Sequence, residues 1–358
     1  PLTYRLGRTL FGRWVGFVAA AGLAFSFWGL MYGRFGLRHV TMPVLVTAAF
    51  YFFWRGFQKA HAPLATRHAP LANYLLSALF MSLGFYTYFA GRGVPLILLA
   101  FMGFVWLVQR PSFYKNWRQW GVMLAVTAVL AIPLVVTLQA QPEAEGRVGE
   151  LAVPLVAARQ GNFAPLQEYV VTTLSMYHAT GDGEWLYNIP NRPLFSPVGA
   201  LFFWGGVLLA IVDVGLALWL WLRRRSEPAA VSRALPAVFL LLWWLAGIAP
   251  AFISVPPASL GHTILAQPAT YILAALPIGR LAMREWRFGV HLPLATRYSP
   301  LAILAALLLI TSIAARDLPD ITVVSVSPGW IRTDMGGPDA ALDPVEATAA
   351  LASTIENL

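Results

Sequence analysis

The chain has 358 residues, of which 58% are hydrophobic and 11% are charged. Soluble domains average about 45–50% apolar and about 25% charged residues, so this composition excludes a disordered chain and an ordinary cytosolic enzyme. The formal net charge of +9 does not indicate nucleic-acid binding, because the basic residues lie in loops between apolar runs. The sequence contains no cysteine, which excludes disulfides and thiolate metal sites.

Hydropathy predicts an all-α polytopic membrane bundle with about nine transmembrane helices, embedded in a lipid bilayer. A spanning helix needs about 20 mostly apolar residues, and nine runs approach this length. They cover residues 14–31, 40–57, 71–90, 93–109, 119–138, 197–222, 235–255, 262–281 and 299–315.

The distribution of Lys and Arg orients the predicted bundle. When the two sides of the membrane are numbered alternately, 17 of the 25 basic residues fall on the side that includes residues 1–13. Cytoplasmic loops carry an excess of Lys and Arg, so this side is predicted to be cytoplasmic. The chain is therefore interpreted as a multi-pass protein of a bacterial plasma membrane, with its active face on the non-cytoplasmic side.

One long loop, residues 139–196, falls on the predicted non-cytoplasmic side. It contains six acidic residues, which are Glu143, Glu145, Glu150, Glu168, Asp182 and Glu184. Long loops in compact proteins usually have a function, so we expect the activity at this face. The alternative is a passive surface loop.

Candidate chemical groups on the outer face are few, because residues 1–142 contain no Asp or Glu. Acid–base chemistry there would need the long loop, a histidine or a segment upstream of residue 1. The outer-face candidates are His39, Glu184, Arg192 and His262. A structural position at the membrane interface is the alternative for the histidines. Their spacing does not indicate a metal site, and no metal or cofactor is expected.

Three arginines at predicted helix ends on the outer face are candidates for binding a lipid phosphate. They are Arg34, Arg38 and Arg92. The guanidinium fork matches phosphate oxygens, whereas simple anchoring to lipid headgroups is the alternative.

Asp213 is the one acid inside a predicted span. Intramembrane acids usually face the bundle interior and often have a function. We predict a structural hydrogen-bonding role for Asp213, and proton-coupled transport is the alternative.

Five stretches together resemble the C-type integral-membrane glycosyltransferases, in the branch of protein O-mannosyltransferases and aminoarabinose transferases. They include Met-Tyr-Gly-Arg-Phe-Gly (31–36) and Phe-Ala-Gly-Arg-Gly within residues 83–96; the others are residues 6–13, 191–197 and 261–276. The resemblance covers about residues 1–316 and rests on the order and spacing of the set.

This resemblance implies transfer of a sugar from a polyprenyl-phosphate donor to an acceptor on the non-cytoplasmic face. It places Arg34 and Arg92 where they could meet the donor phosphate. The family's acidic base lies in the first outer loop, so it is expected upstream of residue 1, and the chain is interpreted as an N-terminally truncated fragment, inactive as given. The family often has an arginine near Leu265, where this sequence does not.

Residues 317–358 differ in character from residues 1–316, with one basic and seven acidic residues. Residues 321–327 are typical of a buried strand, and Asp343-Pro344 followed by Glu346 predicts the start of a helix. This short βα tail resembles the C-terminal end of short-chain dehydrogenases. The Tyr and Lys pair and the glycine-rich fingerprint of those enzymes are absent, so a chimeric junction near Arg316–Asp317 is expected.

Two other functions stay open at this point. The first is a polytopic transporter or scaffold protein, which is supported by Asp213 and by the prolines inside the predicted spans. The second is a dehydrogenase, which rests only on the tail.

Overall fold

The computed structural model describes residues 1–37, 39–61, 70–141, 153–225, 227–287 and 300–317. Every element within these ranges is helical, as predicted. The α-helices are α1 (Leu2–Phe11), α2 (Arg13–Phe25), α3 (Phe27–Phe35), α4 (Thr41–Ala60), α5 (Pro70–Phe85), α6 (Val94–Val108), α7 (Arg110–Ala140), α8 (Val153–Arg159), α9 (Ala164–Ser175), α10 (Pro197–Leu222), α11 (Pro228–Ile253), α12 (Gln267–Arg287) and α13 (Pro300–Asp317). Short 3-10 helices cover Phe89–Gly93 and Ile264–Ala266.

The predicted count of nine spans is wrong for the described part of the chain. Five helical segments there are long and apolar enough to cross a membrane, and a sixth is added if α2 and α3 count as one bent span. The five are Phe89–Val108, Arg110–Ala140, Pro197–Leu222, Pro228–Ile253 and Ile264–Ala282.

The other apolar runs form helices that fall short for identifiable reasons. Helix α5 has 16 residues and is therefore about 24 Å long, which is less than the hydrocarbon thickness of about 30 Å. Helix α4 has 20 residues, but its last turns carry Arg55, Gln58 and Lys59. In α13 only Leu304–Ile313 is continuously apolar. Hydropathy found where these helices lie but overestimated how many can span.

A bend of 55° separates α2 from α3. Ser26 lies at the bend, where its hydroxyl accepts a hydrogen bond from the Gly29 amide (3.1 Å) and donates one to the Leu23 carbonyl (2.9 Å). A serine at this position caps the new helix and partners backbone groups that a break inside a membrane would otherwise leave unpaired.

Aromatic side chains form the centre of the bundle. The Phe53 ring lies 5.8 Å from the ring of Phe101, 6.0 Å from Trp120 and 6.1 Å from Phe239, so it joins α4 to α6, α7 and α11. The Tyr74 hydroxyl on α5 donates a hydrogen bond to the buried Asn116 Oδ1 on α7 (2.7 Å). These contacts fix the helices that hold the loops described below.

Helices α10 and α12 approach so closely that only glycine fits at their crossing. A Cβ atom added to Gly206 on α10 would collide with the backbone carbonyl of Leu273 on α12. Small residues allow this kind of backbone contact between membrane helices.

We expect Gly206→Ala to destabilise the protein by about 1–3 kcal/mol, because the Leu273 carbonyl belongs to a helix backbone that cannot move alone. Gly215→Ala on the same helix is the matched control, since a Cβ there meets nothing within 4 Å. Unfolding in mixed detergent–SDS micelles measures both variants. Equal midpoints for the two variants would contradict the close crossing.

The predicted long loop 139–196 contains two helices, α8 and α9. Residues 142–152 lie outside the described residues. So do residues 318–358, so the predicted strand and helix of the tail stay predictions; its first residue, Asp317, ends α13.

Candidate functional site

Four rings from three separate parts of the chain meet at one end of the bundle. The Tyr32 ring stacks on the Tyr187 ring at 5.8 Å, and the His39 ring lies 6.2 Å from Tyr32 and edge-on to Tyr88 at 4.4 Å. We call these four residues the aromatic cluster. The contacts join the end of α3, the turn before α6 and the loop before α10, which are 155 positions apart at their extremes.

The loop before α10 is folded around Asp182. Its buried carboxylate accepts hydrogen bonds from the Glu184 amide (2.9 Å) and, 78 positions along the chain, from the Leu260 amide (2.8 Å). Burial raises the pKa of Asp182 above its ordinary value, while these two hydrogen bonds act in the opposite direction. The carboxylate therefore ties two loops together at the aromatic cluster.

Further backbone contacts close the same loop. The Asn191 amide donates to the Asp182 carbonyl (2.9 Å), and the Gly181 amide donates to the Asn191 carbonyl (3.0 Å). Asn188 is buried and its side-chain nitrogen donates to the carbonyls of Asp182 (3.1 Å) and Arg192 (2.7 Å). These hydrogen bonds hold the loop in one compact conformation beneath the aromatic cluster.

The Tyr32 hydroxyl is buried and has no hydrogen-bond partner among the described residues. Its neighbour is Gly261, where an added Cβ would lie 3.3 Å from the hydroxyl oxygen and 4.0 Å from His39. A buried hydroxyl without a partner costs free energy, so Tyr32 holds an unused hydrogen-bonding group within the described part of the chain.

The four outer-face candidates occupy this end of the bundle in different ways. His39 belongs to the aromatic cluster, and the exposed Glu184 contributes its backbone to the Asp182 turn. The Arg192 guanidinium lies 4.7 Å from the Phe27 ring centre. His262 Nδ1 is 3.0 Å from the Ser254 hydroxyl, and partial burial lowers the pKa of His262 below its ordinary value, which favours the neutral ring.

The predicted phosphate-binding arginines are placed differently from one another. Arg92 is half-buried in the 3-10 helix that follows Tyr88, with its guanidinium 5.3 Å from the Phe89 ring centre. Arg34 is exposed and comes two residues after the buried Tyr32 in α3, so it points away from the aromatic cluster. Arg38 lies outside the described residues.

Sequence reasoning named Asp182 only as a loop residue and did not single out Tyr32 or Tyr187. A signal for Asp182 exists, because Gly181-Asp182-Gly183 is typical of a turn in which the carboxylate binds a backbone amide two residues on. The described residues contain no group of three or more His, Asp or Glu that could hold a metal ion.

Asp213 lies about 24 Å along α10 from its first residue, far from the aromatic cluster. Its carboxylate contacts the guanidinium of Arg280 on α12, and it lies 3.5 Å from Arg233 on α11. We call these three residues the ion triad. Pairing with two arginines on two other helices agrees with the predicted structural role.

Comparison with known proteins gives structural neighbours alone. No protein-family model matches the chain, and no curated protein sequence matches it. Crystal structures of the Archaeoglobus fulgidus oligosaccharyltransferase are similar over 88% of this chain, in the apo form (TM-score 0.48, 17% identity) and in complex with Zn and sulfate (TM-score 0.46, 16% identity). The chain spans less than half the length of those proteins, 42% and 38% of the two chains.

Proposed function

We propose that this chain is the helical membrane part of a glycosyltransferase and that it binds a polyprenyl-phosphate-linked sugar beside the aromatic cluster. The observation that carries the proposal is the meeting of Tyr32, His39, Tyr88 and Tyr187 over the Asp182 turn, with a buried Tyr32 hydroxyl that no other described residue partners. Tyrosine rings combine an apolar face with a polar tip, which suits a sugar ring with its apolar faces and hydroxyl rim.

Arg92 is the proposed contact for the donor phosphate. It is half-buried and follows the cluster residue Tyr88 by four positions. Hydrogen bonds between a guanidinium group and a phosphate are stronger than those between neutral groups, particularly where water is partly excluded. Arg34 is the weaker candidate because it faces away from the cluster, and the resemblance of the 31–36 and 83–96 stretches to the glycosyltransferases supports both.

The proposal assigns donor binding, and no acid–base step, to these residues. Residues 1–142 contain no acid, and the buried carboxylate of Asp182 is committed to two backbone amides. The proposed orientation keeps the aromatic cluster on the non-cytoplasmic side of a bacterial plasma membrane, supported by the three consecutive arginines 223–225 at the opposite end of α10. The sugar and the acceptor are left open.

Arg92→Ala should weaken binding of undecaprenyl-phosphate-linked mannose by about 10- to 100-fold, the effect of losing a hydrogen bond between charged groups. Arg34→Ala should weaken it by less than about fivefold. Binding to the full chain in detergent micelles is followed by microscale thermophoresis, with undecaprenol as the ligand that lacks phosphate.

Arg55→Ala is the matched control, because Arg55 also lies over an aromatic ring, that of Tyr51 at 5.9 Å, near the opposite end of α4. It should leave the affinity unchanged. If Arg92→Ala binds like the unmodified protein, or if undecaprenol binds as tightly as the phosphate-linked sugar, the phosphate role is wrong.

A further inference from the structure

A cleft lies at the other end of α10, away from the aromatic cluster. It has a volume of about 260 Å³ and is bounded by the end of α6, the end of α10 and the start of α11. Val108, Ala217 and Leu220 form its apolar wall, and Trp221, Arg224 and Arg225 form its rim. We call it the Arg224 cleft.

The rim of the Arg224 cleft is basic. Arg223, Arg224 and Arg225 are consecutive and exposed, and Glu227 is the one acidic residue among the described residues that line the cleft. The Arg223 guanidinium lies 5.4 Å from the Trp219 ring centre, whereas Arg224 and Arg225 line the cleft itself. Basic pockets between membrane helices attract anionic lipid headgroups.

Helix α10 ends in a turn that holds Arg224 in the left-handed backbone conformation. Arg224 has a φ of 53°, and the Arg224 and Arg225 amides donate to the carbonyls of Trp221 (2.9 Å) and Leu220 (2.9 Å). This is the Schellman ending of a helix, whose left-handed position usually holds glycine. A side chain there is disfavoured, and the turn places Arg224 and Arg225 at the rim of the cleft.

The volume of the cleft and the apolar surface beside it indicate which kind of ligand fits. A volume of about 260 Å³ is below the usual range for a pocket that encloses a whole drug-sized ligand, so a compact headgroup fits better. Outside the cleft, α10 presents exposed apolar side chains, including Leu216, Trp219 and Leu222. Acyl chains attached to a headgroup in the cleft would lie along this surface, and tryptophans are typical of the headgroup level.

We propose that the Arg224 cleft binds an anionic phospholipid, with the phosphate between Arg224 and Arg225 and the acyl chains along α10. The proposal is independent of the sugar donor, because the cleft and the aromatic cluster share no residue. The site gives the bundle a preference for anionic over zwitterionic lipid.

Native mass spectrometry of the full chain in detergent tests this site with two probes, phosphatidylglycerol and phosphatidylcholine of the same acyl chains. The unmodified protein should retain phosphatidylglycerol preferentially. Arg224→Gly and Arg225→Gln should each lower that retention by about tenfold, as expected for a lost hydrogen bond between charged groups. Arg224→Gly should also keep or raise the thermal midpoint, because glycine suits the left-handed position.

Arg223→Gln is the matched control, because it removes the same charge from the neighbouring residue. It should lower retention by less than about threefold. Val231→Phe, which fills the cleft from a half-buried position without changing charge, should also reduce retention. Equal losses for Arg223→Gln and Arg224→Gly, or equal retention of the two lipids, would overturn the proposal. Displacement of phosphatidylglycerol by inorganic phosphate at constant ionic strength would also overturn it, in favour of a site for free phosphate.

Discussion

Asp213→Ala should destabilise the protein by about 2–3 kcal/mol, less than the roughly 3–5 kcal/mol of a fully buried ion pair, because both arginines are partly exposed. The variant leaves Arg233 and Arg280 without the carboxylate that separates their charges. The Arg280 Nε atom is already buried and has no hydrogen-bond partner among the described residues. The ion triad is therefore sensitive to loss of its single acid.

Unfolding in mixed detergent–SDS micelles measures this loss, and a double-mutant cycle identifies its origin. Arg280→Ala in the Asp213→Ala background should recover part of the stability, because the uncompensated guanidinium is removed. Arg233→Ala should cost less than Arg280→Ala, since Arg233 is the more exposed partner, at 35% against 27%. A fully stable Asp213→Ala would contradict the structural role and favour the proton-carrier alternative.

Asp182→Ala should cost about 2–4 kcal/mol and should also abolish donor binding. The change leaves the Glu184 and Leu260 amides without their acceptor, and buried amides without a partner are costly. The loops before α10 and before α12 would separate, and the aromatic cluster would lose the loop beneath it. Thermal unfolding and the donor-binding assay measure the two effects.

Glu184→Ala is the control for Asp182→Ala, because Glu184 is exposed and its hydrogen bonds in the turn are made by its backbone amide and carbonyl. It should leave stability within about 0.5 kcal/mol of the unmodified protein. Donor binding that survives in Asp182→Ala would show that the aromatic cluster does not depend on this carboxylate.

The same carboxylate makes stability depend on pH. Burial raises the pKa of Asp182, so the folded protein holds this proton more tightly than the unfolded chain. Its contribution to stability therefore falls as pH rises from the ordinary aspartate pKa through the raised one. Asp182→Asn should flatten this part of the curve.

Hydropathy located the helices well because burial in lipid is a property of each segment. The run predicted at residues 197–222 is the helix Pro197–Leu222. Hydropathy could not show the bend at Ser26, where one hydroxyl partners two backbone groups, or the end of α5 at Phe85. A hydropathy value is an average over a window of residues, and it does not detect changes in helix direction.

The candidate site was only partly predictable. His39 was named from its position at a predicted outer helix end, and it belongs to the aromatic cluster. Tyr32 and Asp182 were not assigned a role because their partners are distant in sequence, as in the contact of Asp182 with Leu260. Spacing along one chain shows which residues share a helix face, and it does not show which loops meet.

The short α5 and the bend between α2 and α3 have a consequence for the surrounding bilayer. Helix α5 and helix α3 both end near the aromatic cluster. Helix α5 is too short to span the membrane, and α2 and α3 together form a bent rather than a straight segment. Lipid adapts to short apolar segments by thinning, so we expect a local depression of the headgroup layer at this end of the bundle. Headgroups there would lie closer to Arg92, and a lipid-anchored molecule could approach the cluster from within its own leaflet.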